Sequence, residues 1–315
     1  MTASYRNKGI SRHRFLTLAG GGALALAGAS VLPAALAAAG RMNTRPIPSS
    51  GEAMPMVGVG TARVFNVSLD GETRARLKKV LEVMLGAGGT ILDTSPMYGA
   101  SEEVSGTLMA EMKARDKIFI ATKVWTRGRE DGIAQMRRSM RRLHTDKIEL
   151  MQVHNLVDWK TQLKTLREWK EKGIFKYIGI THYSTRNDDE IAAILKAEPL
   201  DFLQIPYSIV NRRAERVLMP LCRERKVALI THRNFERGRL FRSVRGKPLP
   251  PWAAAFDCAS WGQFFLKFVL GQPASTCVIP GTSKAKHMVD NVKAGIGRLP
   301  DAKTLDRMAK LVEAM

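Results

Sequence analysis

The chain has 315 residues, 45% of them hydrophobic and 25% charged, enough for one large globular domain or two small ones. Its formal charge is +21; without residues 1–39, which hold Arg6, Lys8, Arg12 and Arg14 and no acid, the 50 basic side chains fall to 46 against 29 acids. The excess is dispersed along stretches such as Arg137, Arg138, Arg141 and Arg142 with no interleaved aromatics, which points to a solvated basic surface and away from nucleic acid.

The first 39 residues have the anatomy of a targeting segment. A basic start ends at Arg14, Phe15 to Ala39 is Gly/Ala-rich and mildly apolar, and Ala35-Leu36-Ala37 or Ala37-Ala38-Ala39 offers a cleavage site. Ser11-Arg12-His13-Arg14-Phe15-Leu16 resembles the bacterial twin-arginine signal, S-R-R-x-F-L, with His13 in place of the second arginine. That resemblance implies the twin-arginine export machinery as a partner and a periplasmic mature chain, or a cytoplasmic one if the signal does not function. A membrane anchor is the competing reading, but Gly20 to Gly22, Gly28, Ser30 and Pro33 interrupt the spanning helix it needs. Cys222, Cys258 and Cys277 form no C-x-x-C and no paired spacing, so buried free thiols are expected.

Residues 40–51 read as a polar linker and residues 52–315 as one folded unit. Strands are predicted at Met56 to Thr61, Thr90 to Asp93, Ile118 to Lys123 and Ile148 to His154. Four more follow at Tyr177 to Thr181, Phe202 to Pro206, Val227 to Thr231 and Thr276 to Pro280. Helical stretches separate them: Glu72 to Leu85, Glu102 to Lys113, Gly132 to Arg142, Thr161 to Lys172, Asp188 to Lys196, Ala214 to Arg225 and Trp261 to Leu270. Two more begin at Lys284 and Thr304. Strict alternation over about 250 residues predicts an α/β protein, a single parallel (β/α)8 TIM barrel with its active site at the carboxyl ends of the strands. A doubly wound open sheet is the alternative, and no G-x-G-x-x-G bridges a strand and a helix to support it.

Polar residues recur at one place in this pattern. The strands end at Asp93, Lys123, His154, Thr181-His182 and Thr231-His232, one carries Gln204, and the last runs into Gly281-Thr282-Ser283. Within Thr90-Ile91-Leu92-Asp93-Thr94-Ser95-Pro96-Met97-Tyr98-Gly99, Asp93 closes a buried strand. Pro96 and Gly99 mark a turn, and Ser101 is expected to cap the helix opened by Glu102 and Glu103. A buried Lys123 needs an anion, and Asp93 is the one available on the neighbouring strand. Each residue alone has a structural explanation. A lysine, an acid, a histidine and a tyrosine on three adjacent strand ends point to chemistry.

At this point the chain resembles the aldo-keto reductase family. The matching residues are Asp93 and Tyr98 in L-D-T-S-P-M-Y-G, Lys123 in A-T-K-V and His154 in M-Q-V-H-N. V-G-V-G-T (57–61), G-I-T-H-Y-S (179–184), Q-I-P-Y-S (204–208) and V-I-P-G-T-S (278–283) fall in family order. The resemblance covers roughly residues 52 to 297 and implies carbonyl reduction to an alcohol with NADP(H), NAD(H) being less favoured. It implies Tyr98 as general acid, Lys123 lowering the phenol's pKa, Asp93 holding the lysine, and His154 orienting the carbonyl. The small-molecule carbonyl itself is not specified, and the set calls for no metal.

The resemblance also implies cofactor contacts. Thr61, Thr181, His182 and Gln204 would serve the nicotinamide end, with His232 where the family often has a stacking tyrosine. Gly281, Thr282, Ser283, Lys284 and His287, at a strand-to-helix junction, would take a phosphate, and Asn291 the adenine. Thr181-His182 replaces the family's usual Ser-Asn, and Gly281 and His287 stand where Lys or Arg is common. The basic loop from Arg233 to Lys247 reads either as a lid or as a solvated loop. Trp252 and Trp261 read as packing, or Trp252 as lining the mouth. A second class of function, a dinucleotide-binding accessory or sensor protein with little turnover, is also open at this point.

Overall fold

A computed structural model describes residues 40–315. The expected targeting segment, residues 1–39, and its expected cleavage sites lie outside the described residues. Among those described, no helix is long and apolar enough to cross a membrane.

Residues 40–51, expected as a linker, are part of the fold. β1 (Thr44–Pro46) and β2 (Ala53–Pro55) form an antiparallel hairpin. The hairpin buries Ile47 and Met54 at 1% and 2% exposure. Arg45 ties it down by donating to the carbonyls of Leu270 and Gln272, each at 2.6 Å, and of Ser275. Polar composition concealed this role because two apolar side chains are enough to seal the end they cover.

Eight parallel strands follow: β3 (Val59–Gly60), β4 (Ile91–Asp93), β5 (Phe119–Val124) and β6 (Ile148–His154), then β7 (Phe175–Thr181), β8 (Phe202–Pro206), β9 (Ala228–His232) and β10 (Ser275–Val278). They pair in sequential order. The ring is closed by a parallel bridge between Val57 and Val278, where Gly58 N–H donates to Val278 O and Val278 N–H to Met56 O, each at 2.9 Å. The expected (β/α)8 barrel is therefore the architecture. β3 is shorter than its predicted span because the backbone of residues 56–58 bonds Val278 and Asn43, and the ladder to β4 starts at Val59. A side chain is excluded at Gly60, where a Cβ would sit 2.8 Å from the carbonyl of Ile279.

Helices return the chain between strands, and several carry side-chain caps: Asp70 accepts from Thr73 N–H at 2.7 Å, Ser260 from Gln263 N–H at 3.0 Å, and Asp301 from Thr304 N–H at 2.8 Å. Ser101 is not such a cap. It lies within the first turn of the helix Ser101–Glu111 and donates its hydroxyl to Tyr98 O at 2.8 Å, fixing the preceding loop.

Strand alternation divides the apolar residues into two cores. Outward residues such as Leu92, Ile120, Met151, Ile178, Leu203 and Leu229 pack under the helices. Inward ones, Ile91, Ala121, Leu150, Tyr177, Phe202, Ala228 and Cys277, meet Ile47 and Met54 at the amino end of the barrel. All three cysteines are buried free thiols.

Candidate active site

The inward face that is apolar at the amino end becomes polar further along β4, β5, β6, β7 and β8, while it stays apolar at Ile230 of β9 and at Ile279, just past β10. Ile91 is followed by Asp93, Ala121 by Lys123, Leu150 by Gln152 and His154, Tyr177 by Gly179 and Thr181, and Phe202 by Gln204. Register brings these second positions together: Lys123 pairs with Gln152, His154 with Thr181, and Thr181 with Gln204.

At the centre, Lys123 is fully buried and donates to Asp93 Oδ2 at 2.7 Å and to Thr94 O at 2.6 Å. Burial pushes the carboxyl up and the ammonium down, and their contact opposes both shifts. Asp93 is also held by Gln204 Nε2 at 3.3 Å, and Gln204 Oε1 accepts from Gln152 Nε2 at 2.7 Å. Below the site, the buried Glu102 accepts from Thr122 at 2.7 Å and faces Arg142 at 3.7 Å, with burial raising its pKa.

Tyr98 reaches over this pair from the loop after β4, its ring centre 5.4 Å from Lys123 Nζ. Its phenol is held well above its ordinary value of 10, by burial first and by the Asp93 carboxylate second, with the Arg233 guanidinium opposing. Lys123, expected to lower this pKa, gives two of its ammonium hydrogens to Asp93 and Thr94, and burial and the Asp93 carboxylate dominate the shift. Tyr98 is therefore a protonated donor at rest. The ring of His154 stands perpendicular to that of Tyr98, centroids 5.8 Å apart. Its Nδ1 lies 3.0 Å from Ser95 Oγ. Burial, then the charge of Lys123, lowers its pKa from 6.5 to about 2, so the imidazole is neutral.

The rim carries the other candidates. His232 Nε2 lies 3.2 Å from His182 O, and burial, followed by Arg233, lowers the His232 pKa to about 3. His182 Nδ1 accepts from Ser184 N–H at 3.0 Å, and its ring stacks on Tyr183. Arg233 lies over the Tyr183 ring, 5.3 Å from its centre. Thr61 N–H donates to Asp93 O at 2.9 Å, while its hydroxyl is buried with no protein partner.

Gly281 links this centre to the second group of predicted residues. A Cβ there would sit 3.0 Å from Gly60 O, so the backbone passes close beneath the mouth. Beyond it, Thr282 Oγ1 accepts from Lys284 N–H at 3.1 Å, and the helix Ala285–Lys293 starts with no side-chain cap. Asn291 is buried on that helix; Ser283 is partly covered, and Lys284 and His287 are exposed. Desolvation and the neighbouring Lys284 and Lys286 lower the pKa of His287.

The loop after β9 is packed onto the barrel. Ser208 donates to Glu236 at 2.7 Å, Phe241 meets Phe265 with centroids 5.9 Å apart, and Trp261 Nε1 donates to Lys247 O at 2.9 Å. Trp252 packs on Phe264 and under Arg307.

Sequence reasoning missed Ser95, Gln152, Glu102 and Arg233. For Ser95 and Gln152 the signal was available. Gln152 stands two residues before His154 on the same strand, so strand periodicity places it on the inward side, and Ser95 lies in the same motif as Asp93 and Tyr98.

The family model for the aldo/keto reductases matches residues 56–313. The chain belongs to the aldo/keto reductase family. It is 27% identical over 214 residues to the aldo-keto reductase YhdN of Bacillus subtilis, a match spanning 63% of this chain and 64% of that protein, just under two thirds of its length. An uncharacterized oxidoreductase of Schizosaccharomyces pombe is 31% identical over 235 residues, spanning 70% of this chain and 72% of the relative. Among solved structures, a Klebsiella pneumoniae aldo/keto reductase in complex with NADP and acetate shares the fold. It superposes with a TM-score of 0.72 at 20% identity, over 87% of this chain and 96% of that one.

Proposed function

We propose that this aldo/keto reductase reduces a small-molecule aldehyde or ketone to an alcohol with NADP(H). The observation that carries the reading is the convergence of Asp93, Tyr98, Lys123 and His154 on one barrel mouth. The residues fit a dinucleotide. The unpartnered Thr61 hydroxyl, the remaining amide hydrogen of Gln204, Thr181 and the His182–His232 pair suit an amide-bearing ring. Gly281 to Lys284, the open helix start, His287 and Asn291 suit phosphate and adenine. When bound, the dinucleotide supplies the hydride.

The protein supplies the proton. Tyr98 O–H donates to the carbonyl oxygen as charge develops there, leaving a phenolate beside the Lys123 ammonium. His154, neutral, orients the same oxygen by a hydrogen bond. Asp93 keeps Lys123 charged and in place. Lys284 and Lys286, beside the phosphate end, support a preference for the phosphorylated dinucleotide, and a solved Klebsiella relative was captured with NADPH. The accessory or sensor alternative has no observation in its favour, because the full set of four side chains is assembled.

Titration with NADPH should quench tryptophan fluorescence at lower concentration than NADH. Equal affinities would remove the phosphate preference, and absence of binding by either would remove the reading. Residues 1–39 support a second, separate proposal, that the folded protein leaves by the twin-arginine route. His13→Arg should then raise the periplasmic fraction. Full-length protein confined to the cytoplasm in both forms would exclude export.

A further inference from the structure

Ser95 is fully buried, and its hydroxyl has two neighbours that together fix where its hydrogen points. Met97 N–H donates to Ser95 Oγ at 3.3 Å, and the same oxygen lies 3.0 Å from His154 Nδ1. A serine hydroxyl has one hydrogen to give. Among the described residues, His154 Nδ1 is the acceptor within its reach. Were Nδ1 to carry the proton and donate to Ser95, the serine hydrogen would be left buried and unpaired, the costlier arrangement. Nδ1 therefore accepts.

The choice of nitrogen matters because the ring holds a single proton. Burial and the charge of Lys123 keep His154 neutral down to about pH 2, so its proton must reside on one side or the other. With Nδ1 accepting, the proton sits on Nε2, which has no protein partner among the described residues. A carbonyl oxygen has two lone pairs and can accept from Nε2–H and from Tyr98 O–H together. The other tautomer would set a lone pair against that oxygen and repel it.

We propose that Ser95 is a positioning residue that holds His154 as its Nε2–H tautomer, so that the imidazole meets the substrate oxygen only as a donor. This rests on the carbonyl-reductase reading for its catalytic consequence, though not for the tautomer itself.

Two measurements separate those claims. The chain has six histidines, so in 15N-histidine-labelled protein the His154 signals are identified as those lost in His154→Gln. Long-range nitrogen–proton correlations should show an Nε2–H pattern for His154, and an Nδ1–H pattern overturns the proposal whether or not any carbonyl is reduced. With an active carbonyl in hand, Ser95→Ala should lower kcat about tenfold, short of the ~10²-fold loss on deleting a preorganised donor outright. The KM for NADPH should stay unchanged, and the ring should sample both tautomers. Ser95→Thr, which keeps the hydroxyl, should recover most of the rate. In the His154→Gln background Ser95→Ala should have no further effect. An undiminished kcat in Ser95→Ala, or an equal loss in both backgrounds, would show that the serine merely supports the loop and overturn the proposal.

Discussion

The two ends of the barrel are built from the same strands, two residues apart, and they are opposites. At the amino end Ile91, Ala121, Leu150, Tyr177 and Phe202 pack against Ile47 and Met54 of the hairpin. At the carboxyl end Asp93, Lys123, Gln152, His154 and Gln204 occupy the following inward positions; Asp93, Lys123, Gln152 and Gln204 are linked by hydrogen bonds, and His154 is held by Ser95. The closed end supplies burial that holds the strands in register. The other end draws on that rigidity to keep an ammonium, a carboxylate and a neutral imidazole out of water. Stability and chemistry are thereby separable along the barrel axis, and mutations at the two ends should divide accordingly.

The largest separation is expected from Tyr98→Phe. Turnover on any active carbonyl should fall by about 10²- to 10⁴-fold with loss of the proton donor. The melting temperature and the NADPH affinity should change little, because the hydroxyl contacts neither the core nor the dinucleotide in this reading. Wild-type kcat in the variant would mean that the donor lies elsewhere. Phe202→Ala is the converse, removing a fully buried ring from the closed end. Denaturant unfolding should show a loss of about 3–5 kcal/mol, with kcat of the folded fraction unchanged. A large drop in kcat there would show that the ends are coupled.

Acid should act through the polar end. His154 and His232 have folded-state values depressed to about 2 and about 3 from 6.5. Between those limits the unfolded chain takes up protons that the folded one refuses, so stability is present above pH 6.5 and is lost as pH falls. Replacing His232 with Gln should flatten that acid limb in pH-dependent unfolding. An unchanged slope would contradict a buried neutral His232. The smallest effect belongs to Tyr177→Phe at the closed end, where the hydroxyl donates to Glu52 at 2.6 Å and lies 2.7 Å from Ser50. About 1 kcal/mol of stability should go, with no change in turnover.

Much of this division was legible in the chain. β6 and β8 match their predicted spans, because buried parallel strands are continuous apolar runs bounded by breakers. The site residues at strand ends were legible for the same reason, since a polar residue closing such a run has little option but the mouth. The hairpin was not, because three-residue strands ending in Pro46 and Pro55 have no period to read. Nor was the direction of the Tyr98 shift. Residue types show that an ammonium is near a phenol, but not how deeply that phenol is buried or how the Asp93 carboxylate acts on it. Ser95 lay in the open within its motif, and its role appears only once the loop turns its hydroxyl onto His154.

The ties made by Arg45 bear on how the chain folds. This guanidinium, near the start of the described residues, binds carbonyls 225, 227 and 230 positions further along. Such contacts carry a large loop-closure cost and cannot form until residue 275 has left the ribosome. The hairpin must wait while the intervening strands and helices assemble, so the inward apolar side chains of the closed end stay uncovered through most of synthesis. That interval is when the barrel is most exposed to aggregation and to holding chaperones, and it ends with the last strand.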